Sequence, residues 1–475
     1  MSRAPSGPEH VHPTRDDPVV AGLSEVVGGP VGEHAGRGRG VTVLGVLLAL
    51  TALTFALGLV SKTACAADGW SSTDPSRYTH ACVSKVPDAY TGTGLVELAW
   101  PWSGDEQTRL RYAPTSEPAA VGLWSYSVAR VTHVLSGSPE VSVRYGEPAG
   151  VLADSDTVDD ERRLFMLLNC LGFAALALAA TAALRAARRR RPWDAAGFAV
   201  APVLAVAGVV SWDLLPVAAV AGALWAFSRG RVVLGGALVG AGVAAGVWPV
   251  LLLAAFVALC VRDRRPALVL PAVVPAVATW AVLNAPAFLT GRQQWEVFFS
   301  TAWQRTPDEG SLWAIVAQSA GLSREVGLPI SWALVVLWWA AVLVLVHAAP
   351  ARPRLSQVAL LLVAGVVVLG LTYEPQQALW LLPLAALARP RWRDLLVWQS
   401  CELVFFAMTW WWKGGLLSRS DGPAGFYWIA IAVHLVGTLW LVAMVVRDVW
   451  WPEDDVVRAD ERADDASEAP ESMPV

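Results

Sequence analysis

The sequence predicts an all-α polytopic integral membrane protein with about twelve transmembrane helices (10–13) and one large extracytoplasmic loop after the first of them. Three observations lead there. Of 475 residues, 55% are hydrophobic and 16% charged, and the mean hydropathy is positive, a balance foreign to soluble domains. Apolar runs recur at 41–60, 164–184, 195–211, 213–228, 232–247, 249–261, 267–288, 329–348, 355–372, 376–388, 395–412 and 425–446, each able to span or to pair with an adjoining short span. Arg37 and Arg39 precede the first run, and arginines follow every second run after it: Arg185 to Arg191, Arg229 and Arg231, Arg262 to Arg265, Arg352 and Arg354, Arg389 to Arg393, and Arg447. By the positive-inside rule these ends are cytoplasmic, which predicts a multi-pass protein of a bacterial-type plasma membrane with both termini inside.

Residues 1–40 are rich in Gly and Pro with scattered charges and read as a disordered cytoplasmic tail; His10, His12 and His34 there lack metal-ligand spacing. The run 41–60 lies too far along the chain for a cleaved signal and reads as an uncleaved first transmembrane helix. Residues 61–163 form the extracytoplasmic loop. Within it Gly122 to Leu135 carries Arg130 and His133 among apolar residues, the pattern of an amphipathic helix on the outer surface. Treating 118–135 as a span instead would export the Arg188 to Arg191 cluster. Cys65 and Cys82 lie on the oxidising side and are candidates for a disulfide worth about 3 kcal/mol, the alternative being two unpaired thiols. Residues 164–447 hold the transmembrane helical domain, in which Cys170, Cys260 and Cys401 read as packing residues. Many of the chain's 25 tryptophans lie in or at the ends of spans and fit an interfacial belt. Residues 448–475 read as an acidic disordered cytoplasmic tail, with nine acidic residues and two arginines after Trp451.

Asp213, in Ser211-Trp212-Asp213, stands in one of the most apolar stretches of the chain. A carboxylate there is costly unless it meets an interface or a wet cavity. The predicted topology brings three other motifs to the same outer face: Gly246-Val247-Trp248-Pro249, Leu371-Thr372-Tyr373-Glu374-Pro375-Gln376-Gln377, and the loop 289–328 with Gln304-Arg305-Thr306. Taken singly, Asp213 caps the helix after it, Pro249 starts a helix and Glu374-Pro375 is a solvated turn. Together they outline a cavity open to the exterior and the outer leaflet. No Gly-rich phosphate loop is present, no Cys/His cluster suggests a metal, and no basic patch with interleaved aromatics suggests nucleic acid.

These segments resemble the polyprenyl-phosphate-mannose-dependent mannosyltransferases of glycosyltransferase family 87, which have the GT-C fold. The resemblance runs from Lys62 to Arg458. Its markers are Lys62-x-x-Cys65, Tyr78-Thr79-His80-Ala81-Cys82, Ser211-Trp212-Asp213-Leu214-Leu215, Ala245-Gly246-Val247-Trp248-Pro249, Gly310-Ser311-Leu312-Trp313, Tyr373-Glu374-Pro375-Gln376 followed by Leu379-Trp380-Leu381-Leu382-Pro383-Leu384, and Trp398-Gln399 with Glu402. It implies a GT-C-like fold and transfer of a hexose, mannose in the family, from a polyprenyl phosphate to a glycolipid or polysaccharide hydroxyl on the extracytoplasmic face. The lipid-linked sugar is the donor substrate, and no cofactor is expected. Such chemistry needs a carboxylate base and cations or amides around the leaving phosphate.

The family's base is the aspartate of a Cys-Tyr-Ser-Asp-Ile-Pro pattern, and here that position holds Lys85, in Cys82-Val83-Ser84-Lys85-Val86-Pro87. The family's Lys-Leu-Tyr-Pro reads Gly246-Val247-Trp248-Pro249, its Asn-Lys-Val-Tyr-Ser-Pro-Gln reads Gly370-Leu371-Thr372-Tyr373-Glu374-Pro375-Gln376, and its Glu-Tyr-Pro reads Ser116-Glu117-Pro118. Two phosphate-binding lysines are thus replaced and a carboxylate, Glu374, is added. Asp88 and Glu117 are the candidate catalytic residues, with the Asp105-Glu106 pair behind them. Lys62, Lys85, Trp212, Asp213, Trp248, Arg305, Tyr373, Glu374 and Gln376 are the candidate substrate-binding residues. The competing readings are a catalytically silent member acting as a lipid-binding or assembly partner, and a lipid-linked sugar transporter.

Overall fold

The computed structural model describes residues 42–67, 76–304, 306–307, 310–417 and 425–459. The chain divides between Val46 and Leu47 into two units, and the second, Leu47–Val475, holds the helical bundle. Every regular element among the described residues is helical. The principal helices are α1 (Val43–Val60), α2 (Lys85–Gly92), α3 (Ala119–Leu135), α4 (Asp156–Ala187), α5 (Leu214–Ser228), α6 (Val232–Ala245), α7 (Val250–Arg262), α8 (Val269–Thr290), α9 (Arg324–Ala348), α10 (Leu355–Leu369), α11 (Ala378–Ala388), α12 (Trp392–Lys413) and α13 (Gly425–Trp450).

The twelve apolar runs resolve into elements of unequal length. Among the described residues five helices are long and apolar enough to cross a membrane alone: α1, α4, α8 with the turn before it, α9 and α13. Helices α5, α6, α7 and α10 are apolar but shorter. Proline and glycine explain the difference. The run 195–211 breaks into Pro192–Ala195, Ala196–Ala199 and Pro202–Ala207, because Pro202 has no N–H to continue a helix. Gly246 and Pro249 separate α6 from α7, and Gly370 and Pro375 separate α10 from α11.

Packing follows side-chain size. Helix α5 lies between α4 and α6, α6 lies on α8, and α10 touches α7, α9, α11 and α13. A Cβ on Gly236 would stand 2.0 Å from the Ala272 carbonyl oxygen, and one on Gly240 would stand 2.1 Å from that of Ala276. The four-residue glycine spacing therefore brings the α6 and α8 backbones together, as small residues do between helices in lipid. Thr51 and Thr181 share a 2.8 Å hydrogen bond between α1 and α4.

The segment between α1 and α4 is built on buried ion pairs. Arg111 lies 2.5 Å from Glu97, Arg144 pairs with Glu161, and Tyr90 donates to Glu161 at 2.8 Å. These contacts let α4 begin at Asp156, ahead of the apolar run at 164: Glu161 meets Arg144, while Arg162 and Arg163 pair with Asp159 and Asp160. Cys65 and Cys82 form a disulfide with a Cα–Cα separation of 5.8 Å.

Residues 448–459, the described part of the tail expected from 448 onward, are packed against the helices. Asp448 and Asp394 are buried against Arg389, and Asp455 is buried 2.9 Å from Arg354. Guanidiniums held away from water recruit these carboxylates and keep the chain packed through Ala459. The expected tail residues 1–40 and the stretch 460–475 lie outside the described residues.

Candidate functional site

The site forms where the start of α2 meets the start of α5. Ser84 caps α2, its Oγ accepting from the Val86 N–H at 3.2 Å and donating to the Val209 carbonyl at 2.8 Å. The Lys85 N–H donates to the Val210 carbonyl at 2.8 Å. Lys85 is thereby fixed beside Ser211 and Asp213. Its Nζ reaches Glu374 Oε2 at 2.5 Å, although the two residues are 289 positions apart.

Glu374 is held from its own side. Its N–H donates to Gln377 Oε1 at 3.3 Å, and the Gln376 amide donates to its carboxylate. The preceding Tyr373 is buried, donates from its hydroxyl to Glu402 Oε2 at 2.8 Å, and stacks on His434 with centroids 3.8 Å apart. Glu402 Oε1 also accepts from His434 Nδ1 at 2.8 Å, Thr438 Oγ1 at 3.1 Å and Trp398 Nε1 at 3.1 Å. Gly310 permits close approach from the other side, since a Cβ there would sit 2.0 Å from the Tyr373 carbonyl oxygen.

Asp213 occupies the N-cap position of α5 but makes no side-chain cap bond. Its carboxylate accepts instead from Ser211 Oγ and from Trp380 Nε1, the latter at 2.6 Å. The Trp380 ring stacks on Trp248 with centroids 5.8 Å apart. Asp213 is therefore a fixed acceptor of the site and not a helix cap. Burial alone would lower the pKa of the Lys85 ammonium, but Glu374 in direct contact, with Glu117 and Asp213 beyond it, raises it above the ordinary value. Lys85 is thus in contact with Glu374 and feels the charges of Glu117 and Asp213 more weakly.

The remaining candidates from the sequence are scattered around this cluster. Glu117 precedes α3 and lines a recess of about 190 Å³ with Trp102, Asn284 and Trp295. Asp88 is gripped by Arg77 through two hydrogen bonds, at 2.9 and 3.3 Å. Asp105 caps the helix Glu106–Arg111, accepting from the Thr108 N–H at 2.8 Å. Trp212 is buried and donates to Asn169 Oδ1 at 3.2 Å, away from Lys85. Arg305 lies outside the described residues. Sequence reasoning did not assign site roles to Ser211, Trp380 or Glu402. Trp380 and Glu402 stood within motifs, whereas nothing in the sequence marks His434 as a partner of Glu402.

Lys62 is 1% exposed and donates to the Ala81 carbonyl at 2.8 Å, beside the disulfide. It braces that hairpin and does not reach the Lys85 cluster. Burial lowers its pKa from 10.5 to about 8. Between those values the unfolded chain binds the extra proton, so stability rises with pH across this window. The shift corresponds to about 3 kcal/mol at most. Thermal unfolding of the purified protein from pH 7.5 to 10.5 is expected to show this rise, and Lys62→Met is expected to flatten it.

A groove of about 590 Å³ runs along one face of α3. Leu123, Trp124, Val128 and Val131 form one wall at helical spacing, and Gly172, Leu215 and Ala245 form the other. The groove is almost wholly apolar, and its α3 wall begins beside Glu117.

No curated relative matches the chain. The model of glycosyltransferase family 87 matches residues 160–373, from the first turns of α4 to Tyr373 in the site, and over that stretch the chain is similar to this family of glycosyltransferases.

Proposed function

We propose that the protein moves a hexose, mannose by its family resemblance, from a polyprenyl phosphate to a hydroxyl of a glycolipid or polysaccharide on the extracytoplasmic face. In this reading the arginine-rich helix ends and both termini face the cytoplasm of a bacterial-type plasma membrane. The observation that carries the proposal is the 2.5 Å contact between Lys85 and Glu374. Lys85 stands where the family pattern has its aspartate, and Glu374 returns a carboxylate to that spot from the far side of the sequence.

Each group then has a role. The donor phosphate competes with Glu374 for the Lys85 ammonium, and the freed carboxylate accepts the proton of the acceptor hydroxyl. The hydroxyl oxygen bonds to the anomeric carbon while the bond from that carbon to the phosphate oxygen breaks. Its electron pair leaves on the phosphate, next to Lys85. Glu117 serves as the second carboxylate, beside a recess whose Trp102 and Trp295 offer apolar faces to a sugar ring. Asp88, committed to Arg77, orients α2. The α3 groove accommodates the first isoprene units of the donor.

A second reading is favoured by the same ion pair. Closed, it satisfies both groups without a substrate and suits a silent, lipid-binding member. Purified protein supplied with labelled polyprenyl-phosphate mannose and a panel of glycolipids separates the two. Product formation is expected. No transfer to any acceptor, under conditions where a related family enzyme works, would establish the silent reading.

A further inference from the structure

Helix α5 ends at Ser228, and around its last turn lies a pocket of about 670 Å³ distinct from the Lys85 cluster at its first. Seven arginines line it: Arg188 to Arg191, Arg229, Arg352 and Arg354. None of its described lining residues is acidic. Its floor is apolar and includes Leu224, Phe227 and Phe256, the two phenylalanine rings being stacked 4.3 Å apart.

The guanidiniums are held in place from behind. Arg354 is paired with Asp455 at 2.9 Å, Arg352 with Asp263 at 2.6 Å and Arg191 with Asp194 at 3.1 Å. Arg188 donates to the Leu387 carbonyl at 3.1 Å and Arg229 to that of Ala186 at 2.5 Å. Desolvation first, and then the charges of Arg189, Arg231 and Arg185, lower the pKa of Arg229. A soluble anion would find no use for an apolar floor. An amphiphile with an anionic head uses both parts, and basic pockets between helices at a membrane surface recognise such lipids.

We propose that this pocket binds the headgroup of an acidic phospholipid, its phosphate among Arg189, Arg190 and Arg229 and its upper acyl chain against Phe227 and Phe256. The test is native mass spectrometry of the delipidated full-length protein titrated with phosphatidylglycerol or phosphatidylcholine. Phosphatidylglycerol is expected to bind preferentially. The triple variant Arg189→Gln, Arg190→Gln, Arg229→Gln is expected to weaken it by about 10²-fold. Should the triple variant fold poorly, Arg189→Gln alone, at an exposed position, is expected to weaken it about fivefold. The variant Arg264→Gln, Arg265→Gln, outside the pocket, is expected to keep the preference. Four results would overturn the proposal: equal binding of the two lipids; a preference that survives the triple variant; competition by glycerol phosphate as strong as by the lipid; and a preference that appears only when Asp460, Glu461, Asp464 and Asp465 are neutralised, since the acidic chain end would then be the occupant.

Discussion

Glu374→Gln is expected to lower sugar transfer by about 10²–10⁴-fold, the range in which a positioned general base contributes. The amide keeps the size of the side chain and an oxygen toward Lys85, so folding and donor binding should change little. The loss should fall on kcat and not on the KM for the donor. Lys85→Met is expected to behave differently, raising the donor KM as well, because its ammonium is assigned to the phosphate. The pH profile adds a second readout. Lys85 has its pKa raised above 10.5 by the neighbouring carboxylates once they outweigh its burial. It therefore stays charged throughout the neutral range, and its contribution to stability is complete below 10.5 and fades only as pH climbs through the raised value. Any alkaline fall in activity below pH 9 must then come from another group. Equal losses in Glu374→Gln and Glu117→Gln, with Asp88→Asn the most damaged of all, would remove Glu374 as the base.

Glu402→Leu is expected to be the most destabilising single change near the site. It leaves the hydroxyl of Tyr373, the indole of Trp398, the ring of His434 and the hydroxyl of Thr438 without their shared acceptor. An orphaned buried donor costs about 1–3 kcal/mol. Polar groups on helices in lipid find substitute partners when unfolded, which pulls each value toward the lower end. The sum remains several kcal/mol, visible as a large drop in Tm. Transfer should fall with it, because Tyr373 is the residue that seats Glu374. Glu402→Gln keeps an acceptor and is expected to recover most of both. A Glu402→Leu protein with unchanged Tm would show that the network does not hold the site.

Much of the helical frame was legible because long apolar runs permit few alternatives. Helices α5, α6 and α7 begin and end within a few residues of runs 213–228, 232–247 and 249–261. Where the expectation failed, a charge had a partner that sequence proximity does not reveal. Helix α4 starts early because Glu161 finds Arg144, and residues 448–459 stay packed because Asp455 finds Arg354 across 101 residues. The site divides along the same line. Asp213 was conspicuous as a carboxylate in an apolar run, and Glu374 as an added charge in a resembling motif. Their relation to Lys85 depends on bonds from the Ser84 hydroxyl and the Lys85 N–H to the Val209 and Val210 carbonyls, and pairings of that kind leave no trace in a single chain. Asp88, three residues from Lys85, looked like the nearest replacement base, yet Arg77 had already claimed it.

The short helices at the centre of the bundle have a geometric consequence for where polar chemistry can lie. Helices α5, α6, α7 and α10 contain 13 to 15 residues, a rise of about 20–22 Å against about 30 Å of hydrocarbon. On the proposed function, in which each of them crosses the bilayer, this mismatch leaves some 8–10 Å to be absorbed by bilayer thinning or by indentations at the two ends. Helix α5 has Asp213 at one end and Arg229 at the other, so both polar recesses sit at the limits of a shortened column. On the proposed function a lipid phosphate meets Lys85 below the headgroup plane and need not be lifted into water. The truncation of the central helices is then what gives a membrane-bound substrate room to react.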